Sequence, residues 1–234
     1  MKIQVFPDPR QATLAAADHL AGLLLRAHNV MVAGGNTPLG LYAEIERRRL
    51  PLPDLRVFVL DEYVGAPLDD PRTCSNLLRR TVQQAWRVPA DRFHSLSSLE
   101  QDALQSVVRH EKLVEELGGL DVIVLGLGPN GHLGFNEPGS LRDSSARVLD
   151  LTPESIEANR RWFNGEHAPA KGATVGLKTI LGARHVVLLA FGDAKVRAVQ
   201  AMVNGPQDGS CPAAYLQAHG DAKVFLDEMA LREL

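Results

Sequence analysis

Leu120-Asp-Val-Ile-Val-Leu125 runs directly into Gly126-Leu-Gly-Pro-Asn-Gly-His-Leu-Gly-Phe-Asn-Glu-Pro138, and this junction decides how the chain is read. The first block is short, apolar and rich in β-branched residues without alternation, the pattern of a central parallel strand covered on both faces. The second block is a glycine-rich loop carrying His132 and Glu137. Both side chains are therefore expected at the carboxyl end of a core strand, where open α/β sheets bind their ligands.

Gly126, Gly128 and Gly131 also satisfy G-x-G-x-x-G, a dinucleotide fingerprint when a helix follows at once. Here Gly134-Phe-Asn-Glu-Pro138-Gly139 follows, and an internal proline before glycine argues against a continuous helix. The strand also lies past the middle of the chain. The bland alternative to catalysis is a tight turn whose histidine is merely hydrogen-bonded.

Outward from this junction, strands and helices alternate. Met1–Phe6 reads as a first strand, followed by helix 12–27, strand 29–33, helix 38–48, strand 55–60 and helices 76–86 and 99–117. After the strand at Asp121 come an irregular middle from Pro138 to Gly172, strand 185–191, helix 194–203 and a last strand 222–227. The expected fold class is α/β: one domain over 1–234, doubly wound, with a mainly parallel, Rossmann-like sheet and helices on both faces.

Composition narrows the function classes. With 234 residues and 45% hydrophobic content the chain can bury a large core. A net charge of −3 with scattered basic residues gives no nucleic-acid footprint, and Arg47-Arg48-Arg49 suits the negative end of a helix better than a polyanion. Cys74 and Cys211 form neither a disulfide framework nor a metal spacing, which fits a reducing compartment. No secretory h-region or bilayer-length apolar run is present, so a cytoplasmic location without a membrane partner is expected. His19, His28, His94, His110, His167, His185 and His219 lack ligand spacing, so no metal is expected; His94 alone could border the site.

The other strand ends are polar and small. In Gly34-Gly-Asn-Thr-Pro38, Thr37 or Asn36 suits a helix cap, Pro38 a first turn, and the glycines let backbone N–H groups face an anion. A phosphate cradle at Gly35, Asn36 and Thr37 and a plain capped turn use the same residues. Asp61 and Glu62 point to opposite sides of an extended segment, so at most one of them is expected to face the crevice while the other is structural. Asp61 is taken as that one, although periodicity does not decide it, and a cap or an arginine partner is its structural alternative. Lys195 falls in the first turn of a helix, against the dipole, a placement that an anionic ligand would explain. In Glu157-Ala-Asn-Arg-Arg-Trp-Phe163, Arg160 or Arg161 offers a bidentate phosphate fork. A surface helix that packs Trp162 and Phe163 inward is the duller reading.

Taken in order, Gly34-Gly-Asn-Thr-Pro38, Leu60-Asp-Glu-Tyr-Val-Gly65, Gly128-Pro-Asn-Gly-His-Leu-Gly-Phe-Asn-Glu-Pro138 and Ala158-Asn-Arg-Arg-Trp-Phe163 resemble the successive signatures of the glucosamine-6-phosphate deaminase family, short bacterial type. The second and third strings are specific. The first is shared with the related 6-phosphogluconolactonases, whose second block looks more like Asp-Glu-Arg and whose third lacks Phe-Asn-Glu-Pro.

The resemblance implies conversion of glucosamine 6-phosphate and water to fructose 6-phosphate and ammonia in amino-sugar catabolism, without metal or organic cofactor. It implies Asp61 as the base that moves the C2 proton to C1, and His132 as the ring-opening group, oriented by Glu137 and position 130. Some members carry Asp at that position; Asn130 orients an imidazole but does not ionise. It further implies phosphate binding by Gly35, Asn36, Thr37, Arg161 and Lys195, under a mobile lid at roughly 150–172. Lactone hydrolysis, isomerisation of a galactosamine analogue and a non-catalytic sugar-phosphate sensor are the alternatives. A monomer or small homo-oligomer is expected. Allosteric activation by the acetylated sugar phosphate is not, because Arg147 matches one basic position of the regulated members while Leu149 replaces a lysine.

Overall fold

The computed structural model describes residues 1–165 and 168–232; the side chain of Arg161 and all of His167 lie outside the described residues. In chain order the elements are β1 (Lys2–Phe6), α1 (Pro9–Leu24), β2 (Asn29–Val32), α2 (Leu39–Arg48), β3 (Arg56–Val59), β4 (Asp61–Val64), α3 (Cys74–Leu78) and β5 (Phe93–His94). They continue with α4 (Glu100–Glu116), β6 (Val122–Gly126), β7 (Arg147–Asp150), α5 (Pro153–Trp162), β8 (Lys171–Thr174), α6 (Leu177–Leu181), β9 (His185–Ala190), α7 (Val196–Asn204) and β10 (Ala222–Asp227).

The seven strands of the main sheet run β1-β10-β9-β6-β2-β3-β5, every neighbouring pair parallel. The non-alternating block 122–125 forms the middle strand of the seven, and all four of its side chains are fully buried. That is the cost-free solution for a strand with two apolar faces: helices must cover both sides of the sheet. Parallel strands place every carboxyl end on one edge, so the loops after β2, β6 and β9 converge there.

Three expectations need correction. First, the strands form two sheets rather than one, and the extended segment after Leu60 belongs to the second. Asp61–Val64 is a strand of a second, antiparallel sheet ordered β4-β8-β7, with Asp61 opposite Thr174 and Thr174 opposite Arg147. Leu60 is the hinge between the sheets: its N–H donates to Val32 O of the main sheet, and its carbonyl accepts from Val175 N beside the small one.

Second, the stretch 138–172 is not irregular, since it holds β7, α5 and the start of β8. β7 and β8 pair across the intervening helix, a contact that no local periodicity reveals.

Third, neither Asn36 nor Thr37 caps α2. Pro38 occupies the cap position and no side chain serves as a cap there. The expected helix 76–86 is α-helical only over Cys74–Leu78, capped by Thr73, and continues as π-helical turns over Arg79–Gln84.

Candidate active site

A cavity of about 370 Å³ opens at the carboxyl edge of the main sheet. Six of the nine residues singled out in the sequence line it: Gly35, Asn36, Thr37, Asp61, His132 and Lys195. Asn130 and Glu137 stand behind His132, and the Arg161 side chain lies outside the described residues.

Asp61 and Glu62 divide as the two sides of a strand require. Glu62 is fully buried and accepts from Tyr63 N (2.8 Å), Cys74 N (2.9 Å) and Ser75 N (2.8 Å), so its carboxylate anchors the start of α3. Asp61 faces the cavity, and its Oδ1 is buried without a hydrogen-bond partner. Burial, reinforced by the adjacent Glu62 charge and opposed by the Cys74 thiol, pushes Asp61 up to about 7. A carboxylate poised there both takes and returns a proton at neutral pH.

His132 is held from behind. Its Nδ1 lies 3.4 Å from Glu137 Oε2 and 3.3 Å from Ser155 Oγ. Burial resists ionisation of Glu137, but the hydrogen bond and charge of His132, with Ser155 and Asn130, overcome it and hold the carboxyl at about 2. A carboxylate on Nδ1 places the proton on that nitrogen and leaves Nε2 for a substrate.

Asn130 contributes differently from expectation. Among the described residues its hydrogen bonds go elsewhere than the ring: its Oδ1 accepts from His132 N at 3.2 Å, and its Nδ2 donates to Glu137 Oε2 at 2.7 Å. The amide therefore steadies the loop and the carboxylate rather than the imidazole.

Glycine makes this packing feasible. A Cβ on Gly128 would sit 2.2 Å from His132 Cδ2, and one on Gly131, whose φ is +83°, would sit 2.4 Å from Cys211 Sγ. The glycines therefore give room to an imidazole and a thiol, and no helix follows them.

On the opposite wall, the turn 34–37 enters α2 with Gly35 at φ +89°, a conformation that favours glycine. With no side-chain cap on α2, backbone donors at its N-terminus are available to an anion. Lys195 lines the same cavity just before α7; burial pulls its ammonium down, and Glu154 partly restores it. A partly desolvated cation beside a helix start gains most from an anionic ligand.

Helix α5 roofs the cavity. Tyr63 OH donates to Asn159 Oδ1 (3.0 Å) and Trp162 Nε1 donates to Arg72 O (2.8 Å). Buried Phe163 packs edge-on against Tyr63, with the Arg72 guanidinium 4.8 Å from its ring centre. Arg160 is exposed on the far side and pairs with Glu157, so it is not a lining residue.

Thr152, Ser155, Asn159, Tyr63 and Trp162 escaped the sequence reading as site residues. Thr152-Pro153 was the available signal, a capping residue followed by proline at the first helical position. His94 does not border the cavity; it lines a separate cleft with His110 at the β5 edge, stacked on Phe58. Among the described residues no group of three or more His, Cys, Asp or Glu is placed to hold a metal ion. Nor is any described helix long and apolar enough to cross a membrane.

The fold and cavity define an α/β protein that gathers a raised carboxylate, a carboxylate-backed imidazole and a partly desolvated lysine around one space, the groups that proton transfer on a small anionic molecule calls for. Residues 7–225 match the family model for glucosamine-6-phosphate isomerases/6-phosphogluconolactonase, and the chain belongs to that family.

It is 37% identical to a glucosamine-6-phosphate deaminase of Corynebacterium kroppenstedtii over 98% of this chain and 91% of the relative. It is 36% identical to one of Rhodopirellula baltica over 98% of this chain and 94% of the relative. A solved structure of a monomeric glucosamine-6-phosphate deaminase superposes with a TM-score of 0.93 at 30% identity, covering 99% of each chain. The 6-phosphogluconolactonase of Trypanosoma brucei shares the fold, with a TM-score of 0.80 at 22% identity over 100% of this chain and 98% of that one.

Proposed function

We propose that the protein converts glucosamine 6-phosphate and water to fructose 6-phosphate and ammonia. The observation that carries this reading is the pairing, across one cavity, of Asp61 at about 7 with an imidazole backed by Glu137. The curated relatives bear the name of that activity, which supports the same assignment.

The phosphate occupies the pocket formed by Gly35, Asn36, Thr37 and Lys195, with Arg161 added from α5. His132 Nε2 shuttles the proton between the C1 hydroxyl and the ring oxygen, opening the pyranose. Asp61 then removes the C2 proton to give an enolamine and returns it at C1, leaving an imine at C2. Water adds to that imine and ammonia departs, which balances the reaction without a redox step.

In this reading the segment 150–172 works as a lid, and the protein acts in the cytoplasm on a diffusible amino-sugar phosphate, as a monomer or small homo-oligomer, with neither metal nor organic cofactor. The test is incubation of chelator-treated protein with glucosamine 6-phosphate while both products are followed. Equal amounts of fructose 6-phosphate and ammonia are expected. A folded protein that yields neither, but turns over the C4 epimer or 6-phosphogluconolactone, overturns the assignment.

A further inference from the structure

Helix α5 touches the His132–Glu137 couple through its own first turn. Thr152 caps the helix, accepting Ser155 N at its Oγ1 (3.3 Å) and Ile156 N at its carbonyl (2.9 Å). The same hydroxyl also accepts from Asn130 Nδ2 (3.2 Å) and donates to Glu137 Oε2 (3.2 Å). Its lone pairs are thus both engaged, and its one proton is shared between Glu137 Oε2 and Ser155 Oγ.

Ser155, only 1% exposed, stands one step further in, with Oγ 3.1 Å from Thr152 Oγ1 and 3.3 Å from His132 Nδ1. With the Glu137 carboxylate fixing a proton on Nδ1, the serine oxygen is the second acceptor of that N–H. The ring is therefore gripped from the loop by Glu137 and from the roof by Ser155. At the other end, α5 is latched by Trp162 to Arg72 O.

We propose that Ser155 is a positioning residue of His132, and that through it the seating of α5 and the protonation of His132 form one linked equilibrium. Its catalytic consequence rests on the deaminase reading; the linkage itself does not. A protonated ring makes the stronger bond to Ser155 Oγ, so protonation favours a seated helix, and by reciprocity a seated helix favours protonation. The other charged groups facing the ring are Glu137 behind it and Asp61 and Lys195 across the cavity, with Glu154 of α5 acting on Lys195. Only Ser155 joins the imidazole to the helix by a direct hydrogen bond among the described residues.

The test is an NMR titration of the His132 imidazole in substrate-free protein. In Ser155→Ala the midpoint is expected to move to lower pH by roughly half to one unit, the amount one ordinary hydrogen bond supports. Ser155→Thr, which keeps the hydroxyl, is expected to restore it. Trp162→Phe, which cuts the latch at the far end of α5, is expected to move the midpoint in the same direction. An unmoved midpoint in folded Ser155→Ala overturns the positioning role, and an unmoved midpoint in Trp162→Phe overturns the linkage. Failure of the parent to turn over glucosamine 6-phosphate would sink the functional reading while leaving this titration just as readable.

Discussion

Asp61 and Glu62 are neighbours on β4 with opposite surroundings: Glu62 takes three backbone N–H donors, whereas Oδ1 of Asp61 is buried with none. One carboxylate is spent on structure and the other is left exposed to chemistry alone. Burial is what raises Asp61 toward neutrality, reinforced by the neighbouring Glu62 charge, and the Cys74 thiol is the one hydrogen-bonding group that opposes it.

Asp61→Asn therefore has two expected effects of opposite sign. Turnover falls by at least about 100-fold with little change in KM, since a proton acceptor used only in the transition state is gone. Stability rises. A group at about 7 when folded and near 3.8 when unfolded binds a proton preferentially in the native state, so stability declines as pH rises through that window. Relative to the parent, the variant gains up to about 4 kcal/mol above pH 7 and nothing below pH 4. Urea unfolding at pH 4 and pH 8 checks this; equal differences at both would refute the burial argument.

Glu137 has the reverse linkage. Held at about 2 against an ordinary 4.5, its ionised form contributes stability at neutral pH that is lost as pH falls through about 2. Glu137→Gln is expected to lower Tm at pH 7 and to converge with the parent below pH 2. It also cuts kcat by roughly 100-fold, because His132 loses its charged partner. Calorimetry across this range and steady-state rates are the readouts.

Lys195→Met is expected to raise KM for a phosphorylated sugar at least about tenfold while changing kcat less, the signature of lost uniform binding. Arg161→Ala follows the same pattern, whereas Arg160→Ala leaves KM within about twofold because Arg160 faces solvent and Glu157. Comparable KM increases in both arginine variants would show that the helix presents the wrong side to the ligand.

Gly128→Ala puts a methyl group where the His132 ring lies, at 2.2 Å from Cδ2. Loss of nearly all turnover with a retained far-UV circular dichroism spectrum is expected. Gly35→Ala, with open space around it but φ at +89°, is expected to cost about 1–2 kcal/mol of stability through backbone strain instead.

Velocity curves are expected to be hyperbolic and indifferent to the acetylated sugar phosphate. Arg147 is occupied by Ser140 Oγ (2.7 Å) and Ser145 O (3.2 Å), and Leu149 offers no charge beside it. Sigmoidal curves that the acetylated compound renders hyperbolic would contradict this.

The main sheet was legible because its inner strands are largely buried on both faces and announce themselves as apolar runs, with Val122–Leu125 the clearest. The small sheet was not. Asp61–Val64 reads as a polar strand end, and its partners Lys171–Thr174 and Arg147–Asp150 come from far along the chain. Residues on strand-end loops could be picked out by type and position, whereas Ser155 and Asn159 are ordinary helix residues whose meaning depends on which face α5 turns inward. That phase is set by Tyr63 and Arg72, residues distant in sequence. The proline after Thr152 marked the helix start, but nothing local said that its cap would also serve Glu137.

Gly128 carries a lesson for anyone who would move this chemistry elsewhere. The imidazole occupies the very volume that a side chain at 128 would claim, Cys211 fills the space beside 131, and Leu60 and Thr174 crowd the place beside 134. His132 is therefore not portable as a single substitution. Grafting it onto another scaffold means carrying the three vacant positions along with it, and a host loop with ordinary side chains there has no room to receive the ring.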